Sequence, residues 1–201
     1  VDLLSLAGHK LYGPKGTGAI YVRGNTKIAP ILFGGHQEGG RRTGTENVPG
    51  IVGLGRACEI AMRDLPGQMD RMLGLRKRLE GLILNKINHV RVNGHAFRSL
   101  PHLLSVSFRS ITGDAVVREL DKQGVAASAG AACTAETIRL SHVLEAMRIP
   151  KDIAKGTVRF SLGKGNTEAQ IDQVAAMLPG MVEKLRGLAE LEASVGARGC
   201  R

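Results

Sequence analysis

The sequence has no tryptophan, two tyrosines and four phenylalanines among 201 residues. Single-stranded nucleic acid is held largely by stacking bases on aromatic rings, so this chain offers few platforms for it. A formal charge of +10 is the one feature that points towards nucleic acid. Compensating acid elsewhere in a longer protein is the plainer account of that charge. Three cysteines, Cys58, Cys133 and Cys200, are too few and too scattered for a disulfide framework, which suggests a reducing, cytoplasmic setting. There is no run of about 18 apolar residues, so no membrane span is expected, and no basic, apolar, small-residue leader. His36 has no second His or Cys at ligand spacing, so no metal site is expected. The chain opens on Val1 and runs straight into an apolar stretch, the pattern of a chain cut inside a domain. What is present is 43% hydrophobic residues, enough to bury the core of one ordinary domain, or of a small domain beside part of another.

Periodicity divides the chain. Val1–Leu6 and Gly18–Val22 read as short buried strands joined by a glycine-rich loop. Val48 to Arg63 is helix-like, with Pro49 in its first turn. Pro66-Gly67 reads as a break, after which Met69, Met72, Leu73, Leu79, Leu82 and Ile83 recur at helical spacing. Strands follow at Val90–Val92, Leu103–Phe108, Val125–Ser128 and Val158–Leu162. Helices are expected over Asp114–Gln123 and Ser141–Arg148, the second capped by Ser141 and stopped by Pro150. Ala129 to Thr137 reads as irregular. Thr167 and Gln170 fit a capping box opening a long final helix. Residues 1–65 thus look like the end of an α/β domain, 66–193 like an α+β domain, and 194–201 like a disordered tail.

Four places carry possible chemistry. Lys10, after a strand and beside His9 in a glycine-bordered loop, could form a Schiff base; a solvated surface lysine is the plainer reading. His9 alone reads as a turn or core histidine. The stretch Gly34 to Asn47 combines glycines with Arg41, Arg42, Thr43 and Thr45, which suits a phosphate or carboxylate site or, equally, a flexible surface loop. Cys133 sits among Ser128, Ala129, Gly130, Ala131, Ala132 and Thr134, so few packing anchors hold it and the thiol could be reached. Cys58, on a helix face with Ile51, Leu54 and Met62, reads as a small buried hydrophobe, and Cys200 as incidental. Arg159, inside the apolar strand Val158–Leu162, reads as a solvent-facing charge, with a bidentate clamp on a carboxylate as the alternative.

Taken in order, these pieces resemble the group I cysteine desulfurases, including the nitrogen-fixation type. The resemblance covers about residues 1–190. It rests on Gly8-His9-Lys10-Leu11-Tyr12-Gly13-Pro14-Lys15-Gly16, Arg42-Thr43-Gly44-Thr45-Glu46-Asn47, Ser128 to Thr134, Ser141-His142-Val143-Leu144 and Val158-Arg159-Phe160-Ser161-Leu162-Gly163. It implies a fold-type I transferase, an α/β fold of which this chain holds the C-terminal part of the large domain and the small α+β domain. It also implies a pyridoxal 5'-phosphate cofactor held by Lys10, with His9 on its phosphate and Thr45 reaching the phosphate in the other subunit of a homodimer. Cys133 would be the persulfide-forming nucleophile and Arg159 the reader of the L-cysteine carboxylate. An iron–sulfur scaffold or another acceptor would receive the sulfur. Ala7 offers no hydroxyl where the family often has one, Ala131 stands where serine is common, and Ile138-Arg139-Leu140 replaces the more usual Leu-Glu-Pro. A selenocysteine lyase, or a catalytically incomplete partner that binds a scaffold, are the alternatives.

Overall fold

The computed structural model describes residues 1–129, 131–134 and 137–198. They fall into two compact units, Val1–Pro66 and Gly67–Arg201.

In the first unit, β1 (Leu3–Ala7) and β2 (Gly18–Val22) pair antiparallel, with Leu3 opposite Val22 and Ala7 opposite Gly18. Both were expected as buried strands, yet Leu3, Leu4, Ile20 and Tyr21 are about half exposed. The reason is architectural: a two-stranded ribbon has no second layer of its own to cover its side chains. Helix α1 begins at Val48 and continues to Lys86 with Pro66 inside it. The expected break at Pro66-Gly67 is therefore absent. Proline removes one donor and crowds the preceding turn, but its φ is helical, and Leu65 before it and Gln68 and Met69 beyond Gly67 favour helix.

The second unit is built on a four-stranded sheet of order β3-β4-β8-β5. Its strands are β3 (Val90–Asn93), β4 (Leu103–Phe108), β5 (Ser128–Ala129) and β8 (Thr157–Ser161), and every pairing is antiparallel. Alternation decides the faces. Leu104, Val106 and Phe108 of β4 and Val158 and Phe160 of β8 point into one core. Leu75, Leu79 and Ile83 of α1, Val116 and Leu120 of α2 (Gly113–Lys122), and Ile171, Leu178 and Val182 of α5 (Glu168–Arg198) complete it. Each fully buried aliphatic side chain contributes about 1.5–3 kcal/mol. At the surface, Arg78 of α1 makes a bidentate pair with Asp172 of α5 at 2.7 and 2.9 Å. Its hydrogen bond holds the Asp172 carboxyl below the usual range.

β5 is shorter than the strand expected over Val125–Ser128, because only Ser128 and Ala129 reach a partner, opposite Arg159 and Val158. Within the segment expected as irregular, β6 (Ala131–Thr134) pairs antiparallel with β7 (Thr137–Leu140), while Gly130, Ala135 and Glu136 lie outside the described residues. Ser141 caps α3 (His142–Ala146) by accepting from Val143 N–H, and Pro150 precedes α4 (Lys151–Ala154). The Thr167–Gln170 capping box is present: Thr167 Oγ1 accepts from Gln170 N–H at 3.3 Å, and Gln170 Oε1 accepts from Thr167 N–H at 3.1 Å. α5 continues to Arg198, into the stretch expected as a disordered tail, of which 199–201 lie outside the described residues. Among the described residues no helix is long and apolar enough to cross a membrane.

Candidate active site

β1 delivers the chain into a tight turn over residues 8–17. Gly8 N–H donates to the Thr17 carbonyl at 2.8 Å, and Gly13 N–H donates to the Gly8 carbonyl at 2.9 Å. The Thr17 hydroxyl donates to the Pro14 carbonyl at 2.8 Å. Gly8 sits at the crossing: a Cβ there would lie 2.7 Å from Thr17 Oγ1 and 3.0 Å from the Thr17 carbonyl oxygen. His9 and Lys10 leave this turn exposed, and among the described residues neither has a hydrogen-bond or ion-pair partner. An amine held so on a fixed turn remains available to a carbonyl ligand.

Thr45 follows the second glycine-rich loop. Gly35 N–H donates to Thr43 Oγ1 at 2.9 Å, and Gly44 N–H donates to Gln37 Oε1 at 3.2 Å. Thr45 is exposed and its hydroxyl has no partner among the described residues. Five residues on, α1 lies against the Lys10 turn: a Cβ at Gly50 would come within 2.4 Å of Thr17 Cγ2, and one at Gly53 within 2.6 Å of Pro14 Cγ. The first unit therefore brings together the segments that carry Lys10 and Thr45.

In the second unit, Arg159 lies mid-way along β8, with Ser105 of β4 and Ser128 of β5 opposite it. It points away from the core and is exposed, as the plainer reading of the sequence expected. The structure adds that it lines a cleft of about 750 Å³, shared with Arg76, Asn93, His95, Ser105 and Met147. Among the described residues Arg159 has no acidic partner, so its fork of donors is open to a carboxylate. The sheet beneath is hydroxyl-rich. Asn93 Nδ2 donates to Ser107 Oγ at 2.8 Å and Ser105 Oγ at 3.3 Å, and Ser107 and Thr157 share a buried hydrogen bond of 2.7 Å. Arg76, buried at the cleft, donates to Ser99 Oγ at 3.0 Å. Sequence reasoning missed these groups. The signal was there in part, since Ser105 and Ser107 alternate with the core residues of β4, but which strand lies opposite them is not written in the local sequence.

Cys133 lies on β6 with Ile138 opposite it; its side chain lies outside the described ones, as does Cys200 entirely. Cys58 is a free, half-buried thiol on α1. The apolar face expected around it is only partly covered: Leu54 is buried, but Ile51 is 47% and Met62 75% exposed.

Residues 1–174 match the Aminotransferase class-V family, and the chain belongs to it. The chain is 47% identical over 186 residues to the cysteine desulfurase of Gluconacetobacter diazotrophicus, an alignment covering 92% of this chain and 46% of that protein. A solved structure described as a NifS-like protein superposes with a TM-score of 0.75 at 37% identity, over 95% of this chain and 47% of that one. The NifS-like protein from Rickettsia africae gives a TM-score of 0.80 at 27% identity, over 91% of this chain and 48% of that one. The fold is thus that of the fold-type I transferases, as the motifs implied. The chain spans about half the length of the relatives it matches.

Proposed function

We propose that this chain forms part of a cysteine desulfurase, a pyridoxal 5'-phosphate enzyme that takes sulfur from L-cysteine and releases L-alanine. In this reading residues 1–65 are the C-terminal part of the cofactor-binding domain and 66–193 the small domain. The observation that carries it is Lys10: an exposed amine without a partner among the described residues, two residues past a glycine whose close approach pins the turn. The donor set suits the cofactor, with a primary amine for its aldehyde and the His9 imidazole and Thr45 hydroxyl for its phosphate. When bound, the cofactor supplies the electron sink for loss of the Cα proton and for cleavage of the C–S bond.

The chain's own residues do the rest. Arg159 holds the substrate carboxylate and so fixes which face of the amino acid is presented. Lys10 Nζ, freed when substrate takes its place, accepts the Cα proton and returns a proton to the product. The Cys133 thiolate attacks the substrate sulfur; an S–S bond forms as the substrate C–S bond breaks, leaving a persulfide on Cys133. Small residues around Cys133 favour handing that sulfur to an acceptor such as an iron–sulfur scaffold. A homodimer in which Thr45 completes the neighbouring phosphate site, and a cytoplasmic setting in keeping with three scattered cysteines, belong to the same reading.

The test is Cys133→Ala in the cofactor-loaded protein. Sulfide release from cysteine is lost while cysteine still changes the cofactor's absorbance, and in the unsubstituted protein mass spectrometry finds the added sulfur on the peptide bearing Cys133. Normal turnover by Cys133→Ala, or persulfide on Cys58, refutes the assignment.

A further inference from the structure

We infer that Thr43 and Gln37 are positioning residues for Thr45, closing the 34–44 loop into a clasp that presents the Thr45 hydroxyl to a phosphate. The inference rests on the reading of Thr45 given under Proposed function.

Besides the clasp, two backbone bonds tie the middle of the loop, Gly40 N–H to the His36 carbonyl at 3.1 Å and Arg41 N–H to the Glu38 carbonyl at 3.3 Å, and neither reaches its ends. Glu38, Gly39, Gly40 and Gly44 take left-handed φ values of 52°, 63°, 75° and 102°, and glycine at such positions brings a large conformational entropy to be lost on ordering. Two side chains from opposite ends close it reciprocally. Thr43, near the end, accepts from the N–H of Gly35 at the start, and Gln37, near the start, accepts from the N–H of Gly44 at the end. Arg42 Nη1 donates to the Thr43 carbonyl at 2.9 Å and fixes that residue's peptide. Gly34 makes room for the clasp, since a Cβ there would lie 2.5 Å from Thr43 Oγ1.

This changes how the loop can treat an anion. Of the glycine N–H groups that could face it, those of Gly35, Gly40 and Gly44 are spent inside the loop. The next side-chain donor along the chain is the Thr45 hydroxyl, one residue past the point where the clasp closes. The backbone leading into it is held at two successive residues: Gly44 through its N–H to Gln37, and Thr43 through its hydroxyl to Gly35 N–H. Losing either clasp frees the backbone on which Thr45 rides without removing any group that touches phosphate.

The experiment titrates cofactor-stripped protein with pyridoxal 5'-phosphate and, separately, with pyridoxal, which lacks the phosphate. Thr43→Val keeps the shape and removes the acceptor. It should lower affinity for the phosphorylated ligand about tenfold, the size expected for one well-placed hydrogen bond, and leave affinity for pyridoxal within about twofold. Thr43→Ser restores the acceptor and should restore affinity, and Gln37→Leu should repeat the selective loss. Equal loss for both ligands marks damage to the fold and overturns the positioning role. Thr45→Ala separates the two layers: if it lowers affinity selectively while Thr43→Val does not, the clasp is refuted and the Thr45 reading stands. If Thr45→Ala spares the phosphorylated ligand, or the unsubstituted protein shows no preference for it, that reading fails and the inference with it.

Discussion

Gly156→Ala asks whether the register that places Arg159 depends on a backbone approach that no side chain tolerates. Gly156 is buried at the entry to β8, and its carbonyl accepts from Phe108 N–H at 2.9 Å. A Cβ at this position would lie 1.9 Å from the Phe108 carbonyl oxygen and 2.9 Å from that of Ile111. Both obstacles are backbone, so relief requires β4 and β8 to move apart rather than a rotamer to turn. Overpacking of this kind costs about 1–3 kcal/mol, and loosening the Phe108–Gly156 hydrogen bond adds about 1 kcal/mol. The expected loss, about 2–4 kcal/mol, is a large part of the about 5–15 kcal/mol that holds a typical domain. Gly165→Ala is the matched control: it is exposed, its Cβ would meet nothing within 4 Å, and its φ is not left-handed. It should change stability by under about 1 kcal/mol, in the stabilising direction. Urea unfolding followed by far-ultraviolet circular dichroism measures both. Equal midpoints at equal slopes would refute the steric reasoning.

Thr167→Ala removes the acceptor of the capping box at the start of α5 and should cost about 1 kcal/mol in the same unfolding assay, with Thr167→Ser close to the original; an unchanged midpoint would show that the cap contributes nothing. The Arg78–Asp172 pair predicts a pH dependence of definite sign. The hydrogen bond from Arg78 lowers the Asp172 pKa, so its contribution is fully present above the ordinary carboxylate range and is lost as pH falls through the folded-state value. The stability gap between the original protein and Asp172→Asn should therefore narrow in acid, and high salt should shrink it further because the pair is exposed; a gap that widens in acid would be contrary to the assignment.

The sequence by itself determined the elements whose signals are local. The Thr167–Gln170 capping box, the Ser141 cap, the alternation along Leu103–Phe108 and the helical spacing after Met69 all rest on contacts within a few residues, and the structure has them. The motifs around Lys10 and Thr45 were legible for the same reason, since the glycines that permit their tight turns are adjacent in the chain. Three things were not legible. Pro66 does not end α1, because a proline's local penalty cannot reveal whether the residues on either side sustain the helix. β5 shrinks to Ser128–Ala129, because only these two residues come opposite β8, at Arg159 and Val158, a pairing that the local sequence does not encode. The setting of Arg159 belongs to the tertiary structure alone. Strand periodicity shows that its side chain faces away from Val158 and Phe160. Only the pairing of β8 with β4 and β5 places serines on both sides of it, and only the tertiary structure puts it in a cleft with Arg76, Glu80 and Asn93, where it has no ion-pair partner among the described residues. Those neighbours lie 54 and 31 residues away in sequence at Ser105 and Ser128, a separation at which local pattern carries no information and the packing of the sheet decides.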